Sequence, residues 1–175
     1  VLEELSVHMI TLLLAVNRQL GDYRDQQRAH DYHPITFNRG DYHEELDAAD
    51  QRVDVGSATA LLVGVGNAGG ETARLCKALG MRTLGVDARR TDPHPSVDEL
   101  HGAEGVLPLR ERPSASAVTQ DPSVCCAAAL DELLPQADFV LLTIPHTPET
   151  EGLFDASKFA LMKSSAVFCN VGRVR

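Results

Sequence analysis

A glycine-rich loop is the strongest indication of chemistry in the sequence. Gly64, Gly66 and Gly69 form a G-x-G-x-x-G pattern that follows an apolar run and opens a helical pattern. In such a loop the first glycine permits a tight turn, the second lets the backbone approach a pyrophosphate, and the third lets helix and strand pack closely. The N–H groups of Asn67 and Ala68, at the helix N-terminus, favour an anion. The pattern predicts a dinucleotide site, and a strand–turn–helix without a ligand is the alternative.

An acidic residue follows the glycine loop at the distance that a ribose-binding carboxylate requires. Asp87 ends the next predicted strand, and its separation from Gly69 is close to the expected spacing of about 20 residues. Its carboxylate would accept hydrogen bonds from adenosine ribose hydroxyls and repel a 2′-phosphate. Arg89 and Arg90 follow it, and an arginine there can accommodate that phosphate, although both also fit a solvated loop. We predict NAD as the cofactor, with NADP as the less favoured alternative.

Apolar runs alternate with helical patterns along the chain. Runs that are apolar throughout predict buried strands, and they cover residues 58–65, 82–87, 139–144 and 166–171, with a weaker one at 105–107. Helical patterns cover residues 1–20 (running on towards Arg28), 68–79, 127–134 and 156–162, the last capped by Asp155. This alternation predicts an α/β fold with a doubly wound parallel sheet of the Rossmann type. The polar stretch 30–51 is predicted to be an exposed connection, and 108–126 a loop insertion.

Composition excludes two classes of partner. The 175 residues include 16 Lys and Arg against 25 Asp and Glu, which gives a net charge of −9. That length suits one domain, and the acidic balance supplies no broad cationic face for a phosphate backbone. Apolar runs such as Leu12–Val16 are far shorter than the roughly 20 residues that span a bilayer. We therefore expect neither nucleic acid nor a membrane as a partner.

The four cysteines indicate buried thiols rather than a metal site. Cys76, Cys125, Cys126 and Cys169 form no C-x-x-C pair and no metal spacing. Cys76 falls on the inner side of a predicted helix and Cys169 in a predicted strand, where a small buried hydrophobe is the usual explanation. We expect no metal and a reducing compartment. This favours a cytoplasmic location and leaves an organelle matrix open.

Several motifs occur in an order that is typical of one enzyme family. They are Gly64–Gly69, Asp87, Ala137–Val140, the P-x-T-P-x-T turn at Pro145–Thr150, and the N-x-x-R of Asn170–Arg173. With these motifs the sequence resembles the D-isomer-specific 2-hydroxyacid dehydrogenases, from the first helix to the last residue. The combination is specific, because a generic Rossmann domain has no reason to carry both the P-x-T-P-x-T turn and N-x-x-R.

The resemblance implies roles for particular residues. The family's catalytic arginine falls on Arg173, whose planar guanidinium suits the carboxylate and carbonyl of a 2-oxo acid; a surface cation at a strand exit is the alternative. Family cofactor contacts fall on five positions at the carboxyl ends of predicted strands, namely Ile144, Pro145, Thr150, Val171 and Gly172. The implied reaction is hydride transfer between a nicotinamide and a small 2-oxo or D-2-hydroxy acid.

The resemblance also implies that the sequence is a fragment. The family's catalytic Glu and His lie downstream of its arginine, and neither that segment nor most of the substrate-binding domain is present. We expect residues 1–175 to form a dinucleotide-binding domain that is incomplete at its C-terminal end and at most binds the dinucleotide. Residues 1–30 correspond to the family's crossover and dimer helix, which implies a homodimer for the full-length protein. Two departures are Val174, where the family usually has Gly, and the length of the 108–126 stretch.

Two other functions fit part of the pattern. A dinucleotide-sensing protein, like the family's transcriptional corepressors, would keep the glycine loop and Asp87 and use NAD binding to control assembly. A Rossmann methyltransferase also holds a ribose with an acidic residue, but the Pro145–Thr150 turn and Arg173 count against it. His146 fits a polar turn residue and His8 a core-edge or interface residue, so neither is predicted to be an acid or base catalyst.

Overall fold

The protein, described by a computed structural model over residues 2–32, 53–90, 92–102 and 122–172, consists of parallel strands and flanking helices. In these ranges the strands are β1 (Thr59–Val63), β2 (Arg82–Asp87), β3 (Glu99–Gly102), β4 (Phe139–Leu142) and β5 (Val167–Asn170). The α-helices are α1 (Leu2–Asn17), α2 (Leu20–Ala29), α3 (Asn67–Ala78), α4 (Pro122–Leu133) and α5 (Ala156–Leu161). Single 3₁₀ turns occupy Val55–Ser57 and Leu134–Gln136.

The strands form a single parallel sheet in the order β3-β2-β1-β4-β5. The chain moves outward from β1 in one direction and then returns to place β4 on its other side, so the order reverses between β1 and β4. Val63, the last residue of β1, pairs with Val86 of β2 and with Leu142 of β4. The prediction of a doubly wound α/β fold is confirmed. In such sheets ligands bind where the strand order reverses, outside the carboxyl ends of the strands.

The sheet is buried on both faces, which explains why its central strands are apolar throughout. Successive strand residues point to opposite faces, so Ala60 and Leu62 pack in one cluster with residues of α1 and α3. Leu61 and Val63 pack in a second cluster with Leu130 and other residues of α4. Helices thus cover both faces and leave the strand ends open to carry a site.

The first helix differs from the prediction because it is interrupted. A single pattern was expected to run from residue 1 towards Arg28, but α1 ends at Asn17 and α2 begins at Leu20. Gln19 between them has a left-handed backbone, with φ of 50°. The buried Asn17 side chain donates to the Val53 carbonyl and accepts from the Val53 N–H, both at 3.0 Å, which ties the end of α1 to the segment entering β1. Within the described residues, no helix is sufficiently long and apolar to cross a membrane.

Two other predictions need correction in the half of the sheet beyond β2. The third strand lies at Glu99–Gly102, before the weak pattern at 105–107, which falls outside the described residues. Glu99 is exposed, and because β3 is an edge strand its outer side chains tolerate polarity that a central strand would not.

Helix α4 begins at Pro122, so the predicted loop 108–126 is wrong for its last five residues. Proline is favoured at the first position of a helix, where its missing N–H has no partner to lose; residues 108–121 are not described.

Two carboxylates bind backbone N–H groups at the amino ends of the strands, opposite the carboxyl ends that carry the cleft. Asp138 accepts from the N–H of Thr59 at 2.9 Å, and its other oxygen accepts from the Lys163 ammonium at 2.7 Å. Asp98 likewise accepts from the N–H of Thr83 at 2.9 Å. Each carboxylate thereby satisfies a backbone donor at the start of a strand, so the Asp138 of the sequence motif supports the sheet rather than a ligand.

Candidate functional site

The glycine loop joins β1 to α3 with three different geometric demands. Gly64 has φ of 93°, and a Cβ there would lie 2.9 Å from Ile144 Cγ2. A Cβ on Gly69 would lie 2.0 Å from the carbonyl oxygen of Gly64, so strand and helix pack with no room for a side chain. Gly66 has no atom within 4 Å of an added Cβ, and it lines an open cleft. Gly66 therefore leaves space for a ligand, whereas the other two glycines are needed by the protein itself.

The amino end of α3 is available to an anion. Gly66 is the N-cap residue and, lacking a side chain, makes no capping hydrogen bond to the first turn. The first N–H groups of a helix have no partner within the helix and carry its positive dipole end. Asn67 and Ala68 are the first two residues of α3, so the helix begins one residue before its predicted start. This arrangement suits a phosphate placed beside Gly66.

Asp87 lies at the carboxyl end of β2, beside the glycine loop, and the sequence did not predict how firmly it is held. One carboxylate oxygen accepts from the Val65 N–H at 2.7 Å. The other accepts from the N–H groups of Arg89 and Arg90, at 2.8 and 2.9 Å. The Arg90 Nε donates to the Val65 carbonyl at 2.8 Å. Val65 is thus held through its N–H by Asp87 and through its carbonyl by Arg90, and Asp87 joins the segment that follows β2 to the loop.

The Pro-Thr turn after β4 is closed by a threonine hydroxyl. Thr150 Oγ1 accepts from the Thr147 N–H at 2.9 Å and lies 2.7 Å from the Pro145 carbonyl, to which it donates. The sequence predicted Thr150 as a cofactor contact, and the structure adds that the same hydroxyl holds the turn together. Thr143, which sequence reasoning missed, donates from its hydroxyl to the Gly64 carbonyl at 2.8 Å. Its position at the end of an apolar strand was the available signal.

The end of β5 contributes a third turn. The Val171 N–H donates to the Leu142 carbonyl at 3.2 Å, which extends the pairing of β4 and β5. The Gly172 N–H donates to Asn170 Oδ1 at 2.8 Å, and a Cβ on Gly172 would lie 2.8 Å from the Ile144 carbonyl oxygen. Glycine is therefore required where this turn meets the end of β4. Arg173, the predicted catalytic residue, and Val174 lie outside the described residues.

The glycine loop, the turn after β2 and the Pro-Thr turn line a cleft of about 790 Å³ at the carboxyl ends of the strands. That volume lies within the range of about 300 to 1,000 Å³ that is usual for small-molecule sites. Six predicted site residues line it, namely Gly64, Gly66, Asp87, Ile144, Pro145 and Thr150. The other predicted residues, Asn67, Ala68, Gly69, Val171 and Gly172, are described but do not line it. Arg89 and Arg90, which the sequence offered as possible partners of a 2′-phosphate, also line it. The lining residues that the sequence did not single out include Val65, Asp92, Thr143, Thr147, Glu149 and Leu153.

The other candidate groups do not line the cleft. His146 and His8 are both exposed, so His8 is not at the edge of the core. Cys76 and Cys169 are buried free thiols, and burial raises the pKa of Cys76 to about 12. Within the described ranges, no group of three or more His, Cys, Asp or Glu residues is arranged to hold a metal ion. The side chains of Cys125 and Cys126 are not described.

Comparison with protein families decides the relationship that the motifs suggested. The profile of the D-isomer specific 2-hydroxyacid dehydrogenase NAD binding domain matches residues 10–111 and 106–175, and so most of the chain. The chain belongs to this family. Among curated relatives, glyoxylate/hydroxypyruvate reductase B of Escherichia fergusonii is 61% identical over 44 residues, which make up 25% of this chain and 14% of the relative. The enzyme of the same name from Citrobacter koseri matches to the same extent. The matched region is therefore a small part of these dehydrogenases.

Solved structures of dehydrogenases in this family share the fold. A D-isomer specific 2-hydroxyacid dehydrogenase family protein from Aeromonas salmonicida is 27% identical with a TM-score of 0.68, over 96% of this chain and 41% of that one. D-lactate dehydrogenase from Aquifex aeolicus, complexed with NAD and lactic acid, is 20% identical with a TM-score of 0.69, over 98% of this chain and 40% of that one. The NADPH-dependent glyoxylate/hydroxypyruvate reductase of Sinorhizobium meliloti is 22% identical with a TM-score of 0.67, over 98% and 53%. The chain thus spans about half of these structures or less.

Proposed function

We propose that this chain is the dinucleotide-binding part of an oxidoreductase that transfers hydride between a nicotinamide and a D-2-hydroxy or 2-oxo acid. The observation that carries the proposal is the meeting of three elements around one cleft, namely the glycine loop, Asp87 and the Pro145–Thr150 turn. Membership in the D-2-hydroxyacid dehydrogenase family supports the same reaction. Substrate, activity and partners of the whole protein are part of this proposal.

The residues of the cleft fit a dinucleotide. Space at Gly66 and the uncapped amino end of α3 accept the pyrophosphate, and the Asp87 carboxylate accepts hydrogen bonds from the adenosine ribose. Ile144 and Pro145 line the cleft on the β4 side. We place the nicotinamide there and assign Val171 and Gly172 as its further contacts. The bound nicotinamide supplies the hydride chemistry. The chain supplies orientation and an apolar wall that limits access of water.

We assign substrate orientation to Arg173. In this role its guanidinium would donate paired hydrogen bonds to the carboxylate and the carbonyl oxygen of a 2-oxo acid. Its charge would stabilise the negative charge that develops on that oxygen. In a longer protein that contains this domain, we assign proton exchange to a histidine held by a glutamate, both outside this chain. Arg173→Lys retains the charge but loses the planar fork. We expect it to lower kcat/KM of such a protein by roughly 100-fold or more, with little change in NADH affinity.

Direct titration tests the binding function of the chain itself. NADH fluorescence should rise saturably on addition of the protein, and S-adenosylmethionine should neither bind nor compete. Absence of NADH binding, or saturable binding of S-adenosylmethionine, would refute the proposal. A longer protein that binds NADH but turns over no 2-oxo acid would favour the sensor function instead. Turnover by these 175 residues alone would refute our assignment of proton exchange to residues outside the chain.

We propose NAD as the preferred dinucleotide. The support for this preference is the negative charge of Asp87, which would disfavour a 2′-phosphate bound beside it. Arg89 and Arg90 line the same cleft, so we expect NADPH to bind more weakly rather than not at all. Asp87→Asn should weaken NADH binding about tenfold and bring the NADH and NADPH affinities closer together. A chain that binds NADPH more tightly than NADH would reverse this preference.

We also propose that α1 contributes to a homodimer in the full-length protein. Its apolar pattern is only partly used by the core, because Leu12 and Val16 are 42% and 58% exposed. Exposed apolar patches of this kind mark interfaces, so the isolated chain should self-associate. Light scattering that shows a heat-stable monomer would contradict this.

We further propose a cytoplasmic location. The buried free thiols Cys76 and Cys169 suit the reducing conditions of the cytoplasm.

A further inference from the structure

Gly70 is a glycine for which the local backbone gives no reason. It lies inside α3, next to the three glycines of the loop but not one of them, and it is buried. Its φ lies outside the left-handed range, so an alanine could adopt the same conformation. Glycine is less favourable than alanine inside a helix. A side chain must therefore be excluded for a reason that lies outside the helix.

The space beside Gly70 is filled by the ring of His94. A Cβ on Gly70 would lie 2.5 Å from His94 Nε2, and the three atoms nearest to that Cβ all belong to this imidazole. The ring is held from its other nitrogen, because Nδ1 accepts from the Ser96 N–H at 3.2 Å. The imidazole is thus fixed against the first turn of α3, and it fits there only because residue 70 has no side chain.

His94 belongs to the connection between β2 and β3, which also carries Arg90. This connection touches the phosphate-binding region at two points, since Arg90 Nε donates to the Val65 carbonyl at 2.8 Å and His94 contacts Gly70. Arg90 lines the cleft and its N–H donates to Asp87. His94 itself does not line the cleft, so its influence on a ligand must be indirect.

The charge state of His94 is compatible with this arrangement. Burial, and then the positive charge of Arg90, hold the pKa of His94 below its usual value. This lowering of the pKa favours the uncharged ring, which does not repel the neighbouring guanidinium. A neutral imidazole with Nδ1 as acceptor carries its proton on Nε2, the nitrogen that faces Gly70.

We propose that His94 is a positioning residue for dinucleotide binding, which docks the β2–β3 connection on Gly70 and thereby holds Arg90 and Asp87 at the adenosine end of the cleft. The inference rests on the proposed dinucleotide function and adds a pair of residues to it. Groups that are held in place before the ligand arrives lose less freedom on binding. Release of the His94 contact should therefore weaken the adenosine half of the ligand most directly.

A double-mutant cycle tests the pair. His94→Ala removes the ring, and Gly70→Ala forces the ring away from the helix. We expect each variant to weaken binding of both NADH and ADP-ribose about tenfold, with thermal midpoints close to that of the unaltered chain. The double variant should be no weaker than either single variant, because both changes remove one contact. It should also melt above His94→Ala, since alanine then favours the helix without a clash.

Matched variants separate this role from general effects. Gly21→Ala changes a helical glycine with no atom within 4 Å of the added Cβ, and His8→Ala changes an exposed histidine on α1; both should leave NADH and ADP-ribose binding unchanged. His94→Asn offers an acceptor to Ser96 without a ring and should recover only part of the loss.

Three outcomes would overturn the inference. They are affinities of the two single variants within twofold of the unaltered chain, losses that add in the double variant, or losses explained by a lower melting temperature. If Gly70→Ala does not fold, His94→Ala and the double variant still decide the question. Failure of the unaltered chain to bind either ligand would overturn the proposed function and this inference together, whereas normal binding by the variants would overturn the inference alone.

Discussion

Gly69 approaches Gly64 so closely that a Cβ on Gly69 would lie 2.0 Å from the Gly64 carbonyl oxygen. The same carbonyl accepts from the Thr143 hydroxyl at 2.8 Å. The end of β1 is therefore enclosed by α3 on one side and by the end of β4 on the other. This contact fixes the position of the helix end to which we assign the pyrophosphate.

Gly69 and Gly66 should differ when each is replaced by alanine. Gly69→Ala places a methyl group into backbone, and overpacking of this kind commonly lowers the free energy of unfolding by about 1–3 kcal/mol; NADH binding should be lost as well. Gly66→Ala meets no protein atom within 4 Å and should leave the urea midpoint unchanged while NADH binding is lost. Equal urea midpoints for Gly69→Ala and the unaltered chain would contradict the close approach. Normal NADH binding by Gly66→Ala would contradict a pyrophosphate at this loop.

Asp138 should matter for stability but not for ligand binding. Asp138→Ala leaves the Thr59 N–H, at the amino end of β1, without its acceptor. This should lower the free energy of unfolding by about 1–3 kcal/mol. Lys163→Ala removes the exposed partner of the same carboxylate and should change it by less than about 1 kcal/mol. Urea denaturation and NADH titration of both variants measure this. A loss of NADH affinity in folded Asp138→Ala would show that this end of the sheet communicates with the cleft.

The Thr150 hydroxyl should be needed for the shape of the turn after β4. Thr150→Val keeps the size of the side chain but loses both the acceptor for the Thr147 N–H and the donor to the Pro145 carbonyl. We expect NADH affinity to fall several-fold and the free energy of unfolding to fall by about 1–2 kcal/mol. Thr150→Ser retains the hydroxyl and should retain most of both. Equal behaviour of the valine and serine variants would argue that the hydroxyl has no such role.

Cys76 should resist alkylation in the folded chain. Because burial raises its pKa to about 12, almost none of this thiol is ionised at pH 8, and the thiolate is the reactive form. Mass spectrometry after iodoacetamide treatment should find Cys76 unmodified in buffer and modified in urea. Rapid labelling of Cys76 without denaturant would contradict its burial.

The same pKa shift predicts a dependence of stability on pH. A folded-state pKa above the ordinary value of 9.0 means that the unfolded state releases its proton first as the pH rises. The contribution of Cys76 is therefore complete below about pH 9 and declines from there towards pH 12. Cys76→Ala should remove this part of the decline in urea midpoint, and an unchanged alkaline profile would contradict the assignment.

The central elements could be predicted from the sequence because their signals are local. The strand at Arg82–Asp87 was predicted with the bounds that the structure gives, since its buried middle lies between the helix stop at Gly80 and a polar turn. The glycine loop was equally clear, because the turn at Gly64 and the close approach of Gly69 to Gly64 involve residues near each other in the sequence. The Asp155 cap is local too, and its carboxylate accepts from the Ser157 and Lys158 N–H groups.

Features that depend on distant contacts could not be predicted in this way. The end of α1 follows from the bonds between Asn17 and Val53, whereas the apolar spacing continues without a sign of interruption. The third strand is an edge strand whose polar residues hide its pattern. The three N–H groups that hold Asp87 and the ring that fills the space at Gly70 come from turns whose shape the sequence does not state. Sequence reasoning thus predicted six residues that line the cleft, but not the turns and hydrogen bonds that hold them in place.

Asn17 and Val53 exchange two hydrogen bonds across 36 positions of the sequence, and these bonds set where the chain enters β1. The sheet consequently receives its first strand from a fixed point, whatever number of residues separates the two partners. The free energy of closing a loop rises by only about 0.6 kcal/mol for each doubling of its length. Residues added between Asn17 and Val53 should therefore cost the fold little, and the cleft should keep its architecture.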